Sequence, residues 1–126
     1  MLDGEVLAYR DGAPLSFAQL QPRIGRKTVP KKLLAEAPVV RMAYDLLEWG
    51  GEDLRDRPLA ERRAQLEAAL TPLPPEASLI VSPEVRAETW TGLAEAREIS
   101  RDLGAEGLLL KRRAAPYLAG RKKGDW

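Results

Sequence analysis

The chain has 126 residues, 44% of them hydrophobic, which is enough for one domain with an apolar core and argues against wholesale disorder. Its 20 basic and 19 acidic residues leave a net charge of +1, so the overall charge does not by itself indicate a nucleic-acid partner. Cysteine and histidine are both absent, which excludes disulfides, thiolate or imidazole metal sites and histidine acid–base catalysis. A bound metal would therefore be a hard cation such as Mg²⁺ held by carboxylates. No apolar run approaches the roughly 18 residues of a membrane helix, so we expect a soluble, cytoplasmic protein with no membrane partner.

The first third of the chain predicts one strand followed by two short helices. Leu2–Tyr9 alternates as a strand does, and "RDGAP" after it has the chemistry of a turn. Ser16 then opens a helical segment, "SFAQLQPRIGRK", which Pro22 should kink. Pro30 opens a second short helix that ends near Ala35. The apolar stripe of the first helical segment consists of Phe17, Leu20 and Ile24.

The middle of the chain predicts a central strand and a longer helix. Val39–Trp49 is the most apolar stretch of the first half and is rich in strand-forming residues. A loop, "GGEDLRDRP", leads to Pro58 in the first turn of the helix "PLAERRAQLEAAL", and "TPLPP" follows as a break. The stripe of this helix consists of Leu59, Arg62 or Arg63, Leu66 and Leu70.

The last part of the chain predicts a strand, a helix and a further strand. "SLIVSP" is typical of a short buried strand, Glu88–Leu103 of a second amphipathic helix that Gly104 caps, and "GLLLKRR" of another strand. Helices that alternate with hairpin-connected strands favour an α+β fold with a largely antiparallel sheet. No Gly-rich phosphate loop of the P-loop or Rossmann kind is present. The stripe of the helix consists of Trp90, Leu93, Ala94, Arg97 and Leu103.

Two glutamates beside glycines are candidate ligand contacts. Glu5 follows Gly4 and Glu106 precedes Gly107, and a glycine beside a charged strand residue lets a ligand or another backbone approach closely. The alternative is that both glutamates are ordinary solvated residues at strand ends.

A tyrosine and a lysine in apolar stretches are further candidates. Tyr44 could form a flat wall for a planar ligand, with Asp45 hydrogen-bonding nearby; alternatively they are a core tyrosine and an aspartate that holds a turn. Lys111 could neutralise a phosphate, or it could belong to a solvated edge. On a regular strand its spacing from Glu106 places the two side chains on opposite faces.

Cations cluster in two regions that could contact nucleic-acid phosphates. The stretch from residue 111 to residue 123 contains six Lys or Arg and no acid. A solvated helix face or strand edge explains either region equally well. The first region consists of Arg23, Arg26, Lys27, Lys31 and Lys32.

Four of these stretches occur in an order that resembles the adenylation (nucleotidyltransferase) domain of bacterial ATP-dependent DNA ligases. "LDGEVLA" is similar to nucleotidyltransferase motif III, "AYDLLEWGG" to motif IIIa, "EGLLLKR" to motif IV and "GRKKGDW" to the front of motif V. The segments "LSFAQLQPRIGRK" and "PLAERRAQLEAAL" also resemble connecting segments of these ligases. The resemblance covers nearly the whole chain.

The resemblance implies a role for each candidate residue. Glu5 would contact the nucleotide or its metal, Tyr44 would stack on adenine, Glu106 would serve the metal site and Lys111 would face phosphate. The implied cofactors are ATP and Mg²⁺, with Glu5 and Glu106 as metal ligands, and the implied partner is nicked duplex DNA. The predicted DNA-contacting residues are Arg23, Arg26, Lys27, Arg112, Arg113, Lys122 and Lys123.

The family's nucleophile is not found in this chain. In the family, a lysine of a Lys-x-Asp-Gly motif upstream of motif III attacks ATP to form a lysyl-AMP. The AMP then passes to the 5′-phosphate at a nick, and the 3′-hydroxyl displaces it. No such motif occurs here, so we expect residues 1–126 to be the C-terminal part of an adenylation domain, without an OB-fold domain and inactive alone. We also expect an open sheet edge that favours self-association. The alternatives are a non-catalytic nucleotide- or DNA-binding module, or part of an RNA ligase or capping enzyme.

Overall fold

The structure, a computed structural model, describes residues 1–102, 104–118 and 120, with Pro75 described in its backbone alone. Within these residues the chain forms six strands and four α-helices. No helix among them is both long and apolar enough to cross a membrane. The strands are β1 (Leu2–Arg10), β2 (Ala13–Pro14), β3 (Val39–Leu46), β4 (Glu48–Trp49), β5 (Glu52–Asp53) and β6 (Leu79–Val81). The α-helices are α1 (Phe17–Leu20), α2 (Lys31–Glu36), α3 (Leu59–Leu70) and α4 (Trp90–Glu98), and 3₁₀ turns cover Gln21–Arg23, Pro75–Ala77 and Ile99–Arg101.

Four of the strands form one sheet in the order β2, β1, β3, β6, and β4 pairs with β5 in a separate hairpin. β1 and β2 are antiparallel. The amide of Tyr9 donates to Pro38 O, whereas the amide of Leu47 donates to Met1 O. The partners thus run in opposite order, which makes β1 and β3 antiparallel as well. The predicted α+β fold with a central strand in the middle of the chain is confirmed.

The chain divides into two compact units, of which the first comprises Met1–Glu5, Met42–Ser82 and the described residues from Leu109 onward. Its core holds side chains from β3, the loop after β5 and α3. Half-buried residues of β1, α3 and β6 pack around this core. The core residues are Ala43, Leu46, Leu54 and Leu66.

The N-terminus of α3 is closed by a later segment of the same unit. The amide of Leu59 donates to Ala115 O at 2.9 Å, and the amide of Ala60 donates to Arg113 O at 3.0 Å. The amide of Tyr117 in turn donates to Arg55 O at 2.7 Å. The first N–H groups of a helix have no partner inside the helix, so this segment supplies acceptors that the side chain of Pro58 cannot.

The second unit comprises Val6–Arg41 and Pro83–Leu108. The turn between β1 and β2 consists of Asp11 and Gly12, both with positive φ (52° and 82°), as a two-residue hairpin turn requires. The C-terminus of α2 is covered by two arginines. Arg10 donates to Ala35 O at 2.9 Å and also to Glu36 O, and Arg23 donates to Ala37 O. Cationic groups are stabilised at this end of a helix because its carbonyls carry partial negative charge.

The prediction that "GLLLKRR" forms a strand is wrong. Residues 107–112 form no β-ladder, and Leu109 and Leu110 are 63% and 54% exposed. An apolar run of this length is compatible with a strand only if a neighbouring strand supplies the hydrogen bonds, which local sequence cannot show. The strand "SLIVSP" does form, as β6, but its residues are half-buried.

Two of the predicted helices are shorter than expected. α4 begins at Trp90 rather than Glu88, because the Thr89 side chain accepts a hydrogen bond from the Gly92 amide and caps the helix there. Trp90 is 79% exposed and does not belong to an apolar stripe. The helix ends at Glu98 before a 3₁₀ turn, and Gly104 beyond it has a positive φ of 75°. Leu103 lies outside the described residues.

The first helical segment is also interrupted, as Pro22 predicted, and it ends at Arg23. Of its predicted stripe only Leu20 is buried, while Phe17 and Ile24 are 66% and 56% exposed. β3 ends at Leu46, and Trp49 belongs instead to the β4–β5 hairpin. The two glycines that connect this hairpin have positive φ values, as a two-residue hairpin turn requires.

Candidate functional site

A glycine brings β1 and β3 unusually close in the first unit. A Cβ atom on Gly4 would lie 2.3 Å from Met42 O and 3.0 Å from the Ala43 Cα. The prediction that Gly4 permits close approach is therefore confirmed, and the group that approaches is a neighbouring strand. Around Gly107, by contrast, a Cβ would have nothing within 4 Å.

The close approach of the two strands joins Glu5 of β1 to Tyr44 of β3. The Tyr44 hydroxyl donates a 2.7 Å hydrogen bond to Glu5 Oε2. Tyr44 is half-buried and Glu5 is exposed, so an aromatic ring and a carboxylate share one accessible surface. Burial, followed by the hydrogen bond to Glu5 and the negative charges of Glu5 and Asp3, raises the pKa of Tyr44 to about 12. The Tyr44 hydroxyl therefore stays protonated at neutral pH and donates to Glu5.

Asp45, the neighbour of Tyr44, is a buried partner of α3 and does not reach the surface. Its side chain is 1% exposed and that of Arg62 is 2% exposed. Arg62 Nε donates to Asp45 Oδ1 and Arg62 Nη2 donates to Asp45 Oδ2, both at 2.8 Å. Asp45 Oδ1 also accepts the amide of Leu46 at 2.9 Å. The carboxylate therefore anchors the strand that carries Tyr44 instead of hydrogen-bonding a ligand.

Arg62 extends this network to two further segments. Its Nη1 donates to Arg57 O and, at 3.3 Å, to Ala115 O. Its guanidinium carbon lies 5.9 Å from the centre of the Tyr117 ring, within cation–π range. The Tyr117 hydroxyl donates to Asp3 Oδ2 at 3.3 Å. One buried cation thereby joins α3, the strand with Tyr44 and the segment after Lys111.

The role of Arg62 as the buried partner of Asp45 was not predicted from the sequence. The helical stripe included Arg62 or Arg63 as equivalent positions, yet only Arg62 is fully buried. The available signal was an aspartate inside an apolar strand together with an arginine in an apolar helical stripe, because a buried charge requires an opposite partner.

The other predicted nucleotide-site residues are placed separately. Lys111 is half-buried in the first unit, and Glu106 is exposed in the second unit. Glu5 and Glu106 thus belong to different units, and a metal site shared between them stays a prediction. No group of three or more acidic residues positioned to hold a metal occurs in the part of the chain that the structure describes.

The predicted DNA-contacting residues differ in how they are engaged. Arg23 binds the last turn of α2 through Ala37 O, and Arg26 Nε donates to Pro22 O at 2.6 Å. Three other predicted DNA-contacting residues lie within the described part of the chain and are exposed: Lys27, Arg112 and Arg113. Lys122 and Lys123 lie outside the described residues.

The fold is that of solved DNA ligase domains. The chain superposes on a mycobacterial DNA ligase D complexed with ATP and MES, with a TM-score of 0.69 and 31% identity over 99% of this chain and 36% of that chain. It matches the ligase domain from M. tuberculosis LigD with a TM-score of 0.67, 31% identity and the same coverage. A structure of a Lig E DNA ligase, at 24% identity and a TM-score of 0.67, supports the fold alone.

Sequence comparisons then define the family. The family model described as "ATP dependent DNA ligase domain" matches residues 1–126. A probable DNA ligase of Sorangium cellulosum is 42% identical over 130 residues, which is 100% of this chain and 23% of that protein. A probable DNA ligase of Koribacter versatilis is 32% identical over 146 residues, which is 100% of this chain and 25% of that protein. The chain belongs to the ATP dependent DNA ligase domain family, and it spans about a quarter of the length of these relatives.

Proposed function

We propose that the chain forms part of the adenylation domain of an ATP-dependent DNA ligase and contributes one wall of its nucleotide site. The parent enzyme would seal nicks in duplex DNA through lysyl-AMP and DNA-adenylate intermediates. The observation that supports this proposal is the Tyr44–Glu5 pair, in which the tyrosine hydroxyl lies 2.7 Å from a carboxylate oxygen on the adjacent strand of the family's fold. A ring of this kind offers a face to a purine, and the carboxylate offers oxygen to a hydroxyl group or a hard cation.

The chemistry of Tyr44 and Glu5 supports the proposal, because an aromatic face suits an adenine base and a carboxylate suits a hydroxyl group or a hard cation. Magnesium, when bound, would neutralise phosphate charge during adenylate transfer. Glu5 is the proposed carboxylate ligand of the first unit, and Lys111 is the proposed phosphate contact. The chain itself would orient the base at Tyr44 and hold the surrounding strands through Asp45 and Arg62. Because the proposed substrate is nicked DNA, we also propose a cytoplasmic location and a role in DNA repair, recombination and replication.

A chimaera provides the direct test. The matching segment of the mycobacterial DNA ligase D domain, which superposes over 99% of this chain, is replaced by residues 1–126. We expect the chimaera to seal a nicked duplex with a 5′-phosphate in the presence of ATP and Mg²⁺. Glu5→Ala and Tyr44→Ala versions should lose most of this activity. A chimaera that folds, as judged by circular dichroism, but neither binds ATP nor seals nicks would contradict the proposal.

The isolated chain should behave differently from the chimaera. Incubation with labelled ATP and Mg²⁺ should yield no covalent AMP adduct, because no Lys-x-Asp-Gly motif is present in the sequence. A stable phosphoramidate-linked adduct would show that another lysine is the nucleophile.

Self-association is proposed for the isolated chain on separate grounds. β2 and β6 lie at the two edges of the described sheet, and Leu109 and Leu110 expose apolar surface. Size-exclusion chromatography with light scattering should show dimers or larger species at high concentration. A monomer at all concentrations would contradict the proposal.

A further inference from the structure

The Tyr44 side chain does more than a plain aromatic ring could do. A phenylalanine at the same position would offer the same flat face, but only a tyrosine can form the 2.7 Å bond to Glu5 Oε2. A carboxylate oxygen can only accept, so the Tyr44 hydroxyl donates and Glu5 accepts in a fixed direction. A hydrogen bond to a charged acceptor is also stronger and shorter than one between neutral groups.

The two strands beneath the pair hold it in place. Gly4, directly before Glu5, allows β1 to pack against Met42 and Ala43 of β3. Asp45, directly after Tyr44, is tied to Arg62 in the core. The backbone on which each member of the pair stands is therefore anchored, while the two side chains remain accessible.

We infer that the Tyr44 hydroxyl is a positioning group of the nucleotide site, because its bond to Glu5 sets the aromatic ring and the carboxylate in one geometry. This inference rests on the proposed function. One carboxylate oxygen is occupied by Tyr44, and the other retains its capacity to accept from a ligand hydroxyl or to bind a cation. The base and the remainder of the nucleotide are then recognised by one preorganised unit, which reduces the entropy lost on binding.

Double-mutant analysis of ATP binding tests the inference on the 126-residue chain. Tyr44→Phe keeps the ring and should weaken ATP binding about threefold to tenfold in calorimetry with Mg²⁺. Glu5→Ala should weaken binding at least as much. In the Glu5→Ala background, Tyr44→Phe should have no further effect beyond about twofold, because the hydroxyl acts through the carboxylate.

Two further variants separate the hydrogen bond from other effects. Glu5→Gln retains an oxygen that accepts from Tyr44, so Tyr44→Phe should still weaken ATP binding in that background. Tyr9→Phe is the matched control, because the Tyr9 hydroxyl donates a bond of similar length, 2.8 Å, to Gly12 O within the β1–β2 hairpin. It should leave ATP affinity unchanged. Far-UV circular dichroism of each variant checks that the fold is retained.

The outcomes distinguish the inference from the proposed function. If the wild-type chain binds no ATP, the proposed nucleotide site fails and the inference fails with it. If the wild type binds ATP and Tyr44→Phe binds equally well, only the inference is overturned. The inference is also overturned if Tyr44→Phe weakens ATP binding as much in the Glu5→Ala background as it does in the wild type, because the hydroxyl then acts without Glu5.

Discussion

Arg62 and Asp45 form a bidentate ion pair in which the two side chains are only 2% and 1% exposed. Both bonds measure 2.8 Å, and the guanidinium finds further acceptors in the carbonyls of Arg57 and Ala115. Burying a charge is costly unless a partner and additional hydrogen bonds compensate for the lost water. Here the compensating acceptors belong to Asp45, Arg57 and Ala115, which lie in three separate segments of the first unit. A shift of any one of these segments would therefore weaken the hydrogen bonds of Arg62.

Removal of either partner of this pair should strongly destabilise the first unit. Arg62→Met leaves Asp45 buried without a cation, and Asp45→Asn leaves Arg62 without an anion. Each should lower the free energy of unfolding by about 3–5 kcal/mol, measured by urea denaturation with circular dichroism. The double variant Arg62→Met/Asp45→Leu should recover part of the loss, because an apolar pair needs no compensating charge.

The Lys32–Glu36 pair of α2 serves as the control for this prediction. Its atoms are 3.7 Å apart and its side chains are 85% and 58% exposed. Lys32→Ala should change the free energy of unfolding by less than about 1 kcal/mol. A similarly small loss for Arg62→Met would contradict the function assigned to the buried pair.

Gly4 should tolerate no side chain, whereas Gly107 should accept one. Since a Cβ on Gly4 would lie 2.3 Å from Met42 O, Gly4→Ala must push β1 away from β3. We expect a loss of about 1–3 kcal/mol or more in the free energy of unfolding, together with weaker ATP binding in the chimaera. Gly107→Ala, with nothing within 4 Å of the new atom, should change neither measurement. If Gly4→Ala and Gly107→Ala change the free energy of unfolding and ATP binding equally, β1 and β3 do not approach each other as described.

Tyr44 and Glu5 could each be proposed as a site residue from the sequence, because each lies in a short motif whose order along the chain is typical of the family, but the bond between them could not. Strand alternation and turn chemistry also predicted β1, and Pro58 marked the start of α3. These features depend on neighbouring residues, which the sequence displays directly.

Other features depend on tertiary partners that local pattern does not reveal. Asp45 and Arg62 are 17 positions apart, and although each charge lies in an apolar pattern, that pattern does not show which opposite charge it meets. Leu109 and Leu110 have the pattern of a buried strand, but no neighbouring strand pairs with them in the described part of the chain. Likewise, Arg23 looks like a solvated cation until α2 brings Ala37 O within its reach.

The raised pKa of Tyr44 predicts a loss of stability at alkaline pH. A tyrosine in the unfolded chain titrates near 10, whereas burial and the bond to Glu5 raise the folded-state pKa of Tyr44 to about 12. The folded state binds the proton more tightly, so this stabilisation is complete below pH 10 and is lost as pH rises through about 12. The free energy of unfolding should therefore decline between these values.

Tyr44→Phe should reduce the slope of this decline without abolishing it. The pKa of Tyr117 is also raised, chiefly by burial and then by the charge of Asp3 and the bond to it, so a second group contributes. Absorbance of tyrosinate should show a transition near pH 12 in the wild type that is lost in Tyr44→Phe. A Tyr44 that titrates near its ordinary pKa would contradict both the burial of its side chain and its bond to Glu5.

The basic residues of the second unit should divide into a DNA-binding group and a structural group. Arg23 holds the last turn of α2, so Arg23→Gln should lower the free energy of unfolding by about 1 kcal/mol. Lys27 is exposed, and the Arg26 side chain bonds to Pro22 O of its own turn. Arg26 and Lys27 can therefore contact a phosphate while the end of α2 keeps its hydrogen bonds. Arg23 can do so only if its hydrogen bond to Ala37 O breaks.

Fluorescence anisotropy with a labelled nicked duplex, titrated over a range of salt concentrations, distinguishes the two groups. Arg26→Gln and Lys27→Gln should each weaken binding and reduce the slope of log K against log salt by about 0.9 for every phosphate that is no longer neutralised. Arg23→Gln should leave this slope unchanged below its unfolding temperature. If instead Arg23→Gln reduces the slope and Lys27→Gln does not, DNA phosphates bind beside the end of α2, and the hydrogen bond to Ala37 O must open when DNA binds.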